Sequence, residues 1–239
     1  MSKCYISEVF GTFLLILIGN FGLTADCLGN ITTSDRPLTS GLSFGFAIVV
    51  LTIVLGPVSG AHLNPAITLG SWFSGAMRAR RMAGYLVAQL SGGAFAAAAL
   101  WAIALGCTGR SGNGAILFTF SNRELVQDYA TEAFVLMEFL ATFILVTVAL
   151  GVSNSGQTTI MAGLMIGLTL AALHVAFAPI AGNALNPARS IGQGLISGGV
   201  TGLELWSYIL APLGGGALAG LTARAGLFAR DDPLDTPDP

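Results

Sequence analysis

The stretch that decides the fold reads Leu63-Asn64-Pro65-Ala66, and it occurs twice: Leu185-Asn186-Pro187-Ala188 repeats it 122 residues later. The copies sit inside a longer match. Gly41-Leu42 through Gly70 aligns with Gly163-Leu164 through Gly192 at the same offset, pairing Gly45 with Gly167, Leu51 with Leu173, Pro57 with Pro179 and Gly60 with Gly182. Further out, Ser7-Glu8-Val9-Phe10-Gly11-Thr12-Phe13 is similar to Met137-Glu138-Phe139-Leu140-Ala141-Thr142-Phe143. Apolar bias produces scattered leucine matches, but not two copies of one Asn-Pro turn at corresponding places. The chain therefore reads as a single domain over 1–229, built from two repeats at about 4–107 and 130–228.

Each copy opens a short apolar piece, Asn64 to Ser74 and Asn186 to Ser197. Both are too short to cross a bilayer and suit half-helices that enter and return. Asn is a strong N-cap and Pro suits the first helical position, so both starts are well made. Around them lie six apolar runs of spanning length: Tyr5 to Leu28, Leu38 to Val58, Met82 to Cys107, Thr131 to Val152, Thr159 to Pro179 and Leu203 to Leu227. Lipid offers no partner for open backbone groups, so all six are expected to be helices. The fold class predicted is an all-α membrane protein of six transmembrane helices and two re-entrant half-helices. The last residues, 230–239, are acidic and proline-rich, and a disordered tail is expected there.

Composition agrees. Of 239 residues, 54% are hydrophobic and 9% charged, with a mean hydropathy of +0.77. Soluble domains carry roughly 25% charged residues, so a soluble fold is excluded. A net charge of −2 points to no nucleic-acid partner. The three cysteines, Cys4, Cys27 and Cys107, form no CxxC spacing, disulfide framework or metal site, and no cofactor is expected. Met1 to Ala25 has the outline of a secretory leader, but Glu8 inside it and its partner segment later in the chain argue against cleavage. Lys3, Arg78, Arg80, Arg81, Arg224 and Arg230 fall on one side of a six-span chain, against Arg36, Arg110 and Arg123 on the other. The richer side is expected to be cytoplasmic, with both termini there. Trp206 and Tyr208 suit either interfacial anchoring or packing.

An odd number of spans per half inverts the second half, so the half-helices enter from opposite faces and meet near the midplane. Inverted repeats with broken helices mark transport proteins. A helix N-terminus carries about half a positive charge and unpaired N–H donors. Two of them aimed at one spot repel cations, and Asn64 and Asn186 each have an amide to offer a passing water. Taken singly, each Asn is more simply a cap; the doubling favours both roles, since the oxygen caps while the nitrogen donates. Arg189, three residues past Asn186, is costly among apolar spans and points to a water-lined path. His174 and Phe44, taken alone, would be packing residues. Glu8 and Glu138 invite a proton-relay reading or, more quietly, acceptance of hydrogen bonds from irregular backbone. No phosphate loop, catalytic triad or metal cluster is visible, so no enzymatic activity is expected.

The paired motifs Gly60-Ala61-His62-Leu63-Asn64-Pro65-Ala66 and Gly182-Asn183-Ala184-Leu185-Asn186-Pro187-Ala188-Arg189-Ser190 resemble those of the major intrinsic protein family, the aquaporins and glycerol facilitators. The likeness runs from about Glu8 to about Gly220 and is nearest to bacterial water-selective members. It implies a selectivity filter of Phe44, His174, Asn183 and Arg189, and a ladder of backbone carbonyls from Gly60, Ala61, His62, Gly182, Asn183 and Ala184. It gives Glu8 and Glu138 the loop-holding role and implies a homotetramer in the bacterial inner membrane, each subunit with its own pore. The function expected is passive water passage, with exclusion of protons and ions. A facilitator of glycerol or another small neutral solute is the near alternative, favoured by Ala61-His62-Leu63, while His174 and Ser190 favour water. An ion-coupled transporter and a non-conducting scaffold are the more distant ones. Two positions depart from the family's usual pattern: Asn183, where a small Thr or Cys is commoner, and Pro57, where many bacterial water channels carry His.

Overall fold

The computed structural model describes residues 3–24, 35–105, 131–154, 157–181, 184–197 and 202–227. Cys27, Cys107 and the predicted tail lie outside them. Eight helices appear among these residues: α1 (Lys3–Thr24), α2 (Arg36–Ser59), α3 (Pro65–Phe73), α4 (Ala79–Leu105), α5 (Thr131–Asn154), α6 (Thr159–Ala181), α7 (Pro187–Ser197) and α8 (Gly202–Arg224). Six have 22 to 27 residues. At about 1.5 Å per residue they reach roughly 33–40 Å, enough for a hydrocarbon core of about 30 Å. All six contain windows apolar enough to cross a membrane. The protein is an all-α integral membrane protein.

These helices are apolar on both faces, as burial inside a membrane protein requires. On α2, Phe44, Ala47, Ile48 and Leu51 turn inward, while Phe46, Val50 and Val54, recurring every fourth residue, lie on the outer face. Local signals set the ends. Pro37 stands in the first turn of α2, and Gly60 closes it with φ 91° and an N–H donated to the Gly56 carbonyl. Pro57 sits inside α2 and Pro212 inside α8.

The two halves repeat one order of elements, long-long-short-long. Their contacts follow the same exchange: α1 meets α2 and α4 as α5 meets α6 and α8, while α3 lies on α8 as α7 lies on α4. The halves join chiefly through α2 and α6. There a Cβ on Gly45 would stand 2.8 Å from the Gly167 carbonyl oxygen, and one on Gly167 would stand 2.6 Å from that of Gly45. Only glycine lets the two backbones approach so closely. Gly93 on α4 and Gly216 on α8 play matching parts, against the Ala188 and Ala66 carbonyls that open the short helices.

Five of the basic side chains among the described residues gather at one end. The Tyr5 ring lies against Gly84, and Phe73 against Gly220, which places Lys3, Arg78, Arg80, Arg81 and Arg224 together, all exposed. Tyr208 is 3% exposed and stacks edge-on with Phe134 at 4.6 Å. Trp206 is partly exposed.

Candidate functional site

The chain approaches α3 and α7 through turns that helices and strands do not use. Ala61, Leu63 and Leu185 have φ of 48°, 51° and 50°. Left-handed conformations at such residues cost about 1–3 kcal/mol each and persist only where their surroundings hold them. Two buried carboxylates do much of the holding. Glu8 accepts from the backbone N–H groups of His62 (3.1 Å) and Leu63 (2.8 Å), from the Ser59 hydroxyl (2.7 Å) and from the Gln89 amide (2.8 Å). Glu138 accepts from Ala184 N–H (2.8 Å) and Leu185 N–H (3.0 Å). Both glutamates are 0% exposed. Unpaired amides in apolar surroundings are costly, and charged acceptors answer them strongly.

The short helices meet N-terminus to N-terminus. Asn64 Oδ1 caps α3 by accepting from Ala66 N–H at 2.8 Å, and Asn186 Oδ1 caps α7 by accepting from Ala188 N–H at 3.0 Å. Their amide nitrogens then reach across. Asn64 Nδ2 donates to the Leu185 carbonyl at 2.8 Å, and Asn186 Nδ2 to the Leu63 carbonyl at 2.9 Å. Each strained Leu thus turns its carbonyl toward the other half. An amide carries two N–H bonds, and this exchange uses one from each asparagine.

Both asparagines line a cavity whose empty volume is about 360 Å³, adjoining open space included. Leu15, Ile48, Leu145, Ile166 and Leu170 form an apolar wall. His62, His174, Ala184 and the asparagines supply the polar side. Three of the predicted filter residues come together, two of them on this lining. The rings of Phe44 and His174 stack at 4.8 Å with planes 24° apart, and the Arg189 guanidinium sits 4.6 Å above the Phe44 face. His174 Nδ1 lies 2.9 Å from the Leu170 carbonyl, so Nδ1 carries the hydrogen. His174 Nε2 is left as an acceptor, facing Arg189 Nη1 at 3.4 Å. Phe44, His174 and Arg189 are each at most 5% exposed.

Gly182 and Asn183 lie outside the described residues. Of the residues expected to offer carbonyls, His62 and Ala184 line the cavity, while Gly60 and Ala61 form the bend behind them. Pro65, Ala66, Pro187 and Ala188 are buried where the short helices begin. Sequence reasoning passed over Gln89, Ser59 and Tyr85. The Gln89 amide bridges Glu8 and the Thr68 hydroxyl, and Thr68 in turn stands 3.1 Å from His62 Nδ1. The Tyr85 hydroxyl donates to the Ser59 carbonyl at 2.6 Å and accepts from Arg81 at 2.7 Å. A polar amide inside the third span was the available signal for Gln89. The roles of Ser59 and Tyr85 depend on contacts between distant segments and left none.

Comparison with known proteins shows what the chain as a whole is similar to. The family model described as Major intrinsic protein matches residues 1–223. "Aquaporin Z" of Rhodopseudomonas palustris is 33% identical over 220 residues, covering 92% of this chain and 91% of the relative. "Glycerol uptake facilitator protein-like 6" of Lactiplantibacillus plantarum is 35% identical over 221 residues, covering 92% and 96%. Among solved structures, the aquaglyceroporin from Plasmodium falciparum matches with a TM-score of 0.78 and 23% identity over 97% of each chain, a likeness of fold.

Proposed function

Because this chain belongs to the major intrinsic protein family, whose members are passive channels for water and small neutral solutes and not enzymes, we propose that it conducts glycerol-sized solutes as well as water through the cavity between Asn64 and Asn186. The observation that carries the reading is the crossed pair of asparagine bonds, Asn64 to Leu185 and Asn186 to Leu63. It holds both side chains against the cavity with a donor apiece to spare. A solute oxygen accepting from both turns its own hydrogens along the axis, which breaks a proton wire, and the two helix tips oppose cations.

The broader cargo is preferred to water alone because the relatives' names divide between aquaporin and glycerol uptake facilitator. Water alone is the second reading; the bulk of Phe44 and His174 beside Arg189 favours it. Against an ion-coupled transporter stands the use of Glu8 and Glu138 as acceptors for the two turns. In this reading α3 and α7 are re-entrant half-helices of an inverted repeat within one domain over 1–229. At 9 and 11 residues they span roughly 30 Å together, one hydrocarbon thickness. The gathered Lys and Arg face the cytoplasm with both termini, in a bacterial inner membrane, and four subunits assemble, each with its own pore.

Proteoliposomes test it. After a sucrose step, vesicles holding the protein shrink much faster than empty ones; after a glycerol step they shrink and then reswell quickly. Shrinkage at the empty-vesicle rate would overturn the channel reading, and fast shrinkage without fast reswelling would leave water as the cargo.

A further inference from the structure

The Phe44 ring lines the cavity, and one of its nearest neighbours is a glycine. A Cβ built on Gly19 of α1 would overlap Cδ1, Cε1 and Cζ of that ring, closer than carbon atoms can stand. His174 and Arg189 also lie against this ring, stacked at 4.8 Å and 4.6 Å from its centre. Helix α2, which carries Phe44, sits between α1 and α6 and has no slack on its far side. A Cβ on Gly41 would stand 2.9 Å from the Ala171 carbonyl oxygen, and one on Gly45 2.8 Å from that of Gly167. The backbone of α2 is thus already seated on α6 one residue after Phe44 and three before it.

From this arrangement we propose that Gly19 is a positioning residue that sets the aperture of the constriction, its missing side chain being the space into which the Phe44 ring recedes. The proposal rests on reading Phe44, His174 and Arg189 as the narrow part of the pore. Carbon atoms settle at about 3.5–4.0 Å, so any side chain at position 19 drives the ring roughly 1 Å or more off its seat. The helix cannot follow, because α6 blocks it. The ring moves instead, and because it lines the cavity its shift changes the width beside His174 and Arg189. Gly19 touches no solute; it acts through Phe44.

A double-mutant cycle in proteoliposomes tests this, using Gly19→Ala, Phe44→Leu and the two together, with flux divided by the amount of folded protein. Gly19→Ala is expected to lower water permeability by about tenfold or more, and glycerol, the wider solute, further still. In the Phe44→Leu background the same change is expected to cost less than about twofold, because the smaller side chain vacates the contact. Equal losses in both backgrounds, or no loss in either, would overturn the assignment. Should Gly19→Ala not fold, the double variant must recover folded, conducting protein; its failure to do so would show that position 19 meets something other than Phe44. A parent protein that conducts no faster than empty vesicles would sink the channel reading itself, which separates that failure from this one.

Discussion

The offset that pairs Asn64 with Asn186 also pairs Ile67 with Arg189, and Phe44 with Ile166. The repeat therefore exchanges the aromatic Phe44 of the first half for Ile166 of the second and the cation Arg189 of the second half for Ile67 of the first, with Ile67 and Ile166 both on the cavity lining. Under the proposed reading, selection belongs where Phe44, His174 and Arg189 meet. Replacing Arg189 by Val removes the charge opposed to cations while the backbone turn remains. Proton conductance measured with a pH-sensitive dye in vesicles is expected to rise, roughly tenfold for each 1.4 kcal/mol of barrier removed; an unchanged leak would deny Arg189 that role. His174→Gly combined with Phe44→Trp enlarges one side of the constriction and keeps an apolar face on the other. The glycerol-to-water permeability ratio is expected to rise by about tenfold, within the range that pocket reshaping commonly yields. A constant ratio would place the constriction elsewhere. The asparagines, Arg189 and both glutamates were legible as residues because polar groups are scarce in apolar spans. Their partners were not: nothing in the order of residues says that Asn64 reaches Leu185 and not the carbonyls of its own turn.

At the scale of elements, the short helices are the unusual parts, and the turns that lead into them are braced unequally. Each oxygen of the Glu8 carboxylate accepts two hydrogen bonds, whereas each oxygen of Glu138 accepts one among the described residues. A Gln side chain replaces one acceptor oxygen with a donor, so Glu8→Gln leaves two donors facing an NH₂ group and Glu138→Gln leaves one. Hydrogen bonds to charged groups are worth about 1.5–3 kcal/mol each, so Glu8→Gln should destabilise by about 3–6 kcal/mol and Glu138→Gln by about half as much. Thermal unfolding of the detergent-purified proteins reads the difference, and a larger loss for Glu138→Gln would contradict the bracing argument. The element boundaries follow the sequence closely. The short helices begin at Pro65 and Pro187, directly after the predicted caps, because Asn and Pro impose the local geometry wherever the chain lies. The long helices run one to a few residues beyond the apolar stretches at several ends, as with α4 starting at Ala79 ahead of Met82. Interfacial residues such as Arg80 and Arg81 are good helix formers, and hydropathy alone does not register them.

For the whole molecule, the prediction concerns coupling. A passive pore moves water down an osmotic gradient alone, so shrinkage rates in vesicles should stay the same within error when a proton or sodium gradient is imposed; a rate that follows either gradient would favour a coupled transporter. By itself the sequence determined the membrane class, the six long helices, the duplication and the two Asn-Pro starts. These are properties of composition and of local geometry, and apolar length and capping chemistry act on a segment whatever surrounds it. Only the tertiary structure decided that the two starts abut, that their amides cross to each other's strained leucine, that Glu8 is more heavily engaged than Glu138 among the described residues, and that Phe44 rests against Gly19. Each of these joins residues 25 to 123 positions apart, and the glycine contacts that bring the helices close enough are satisfied only once both halves have folded against one another.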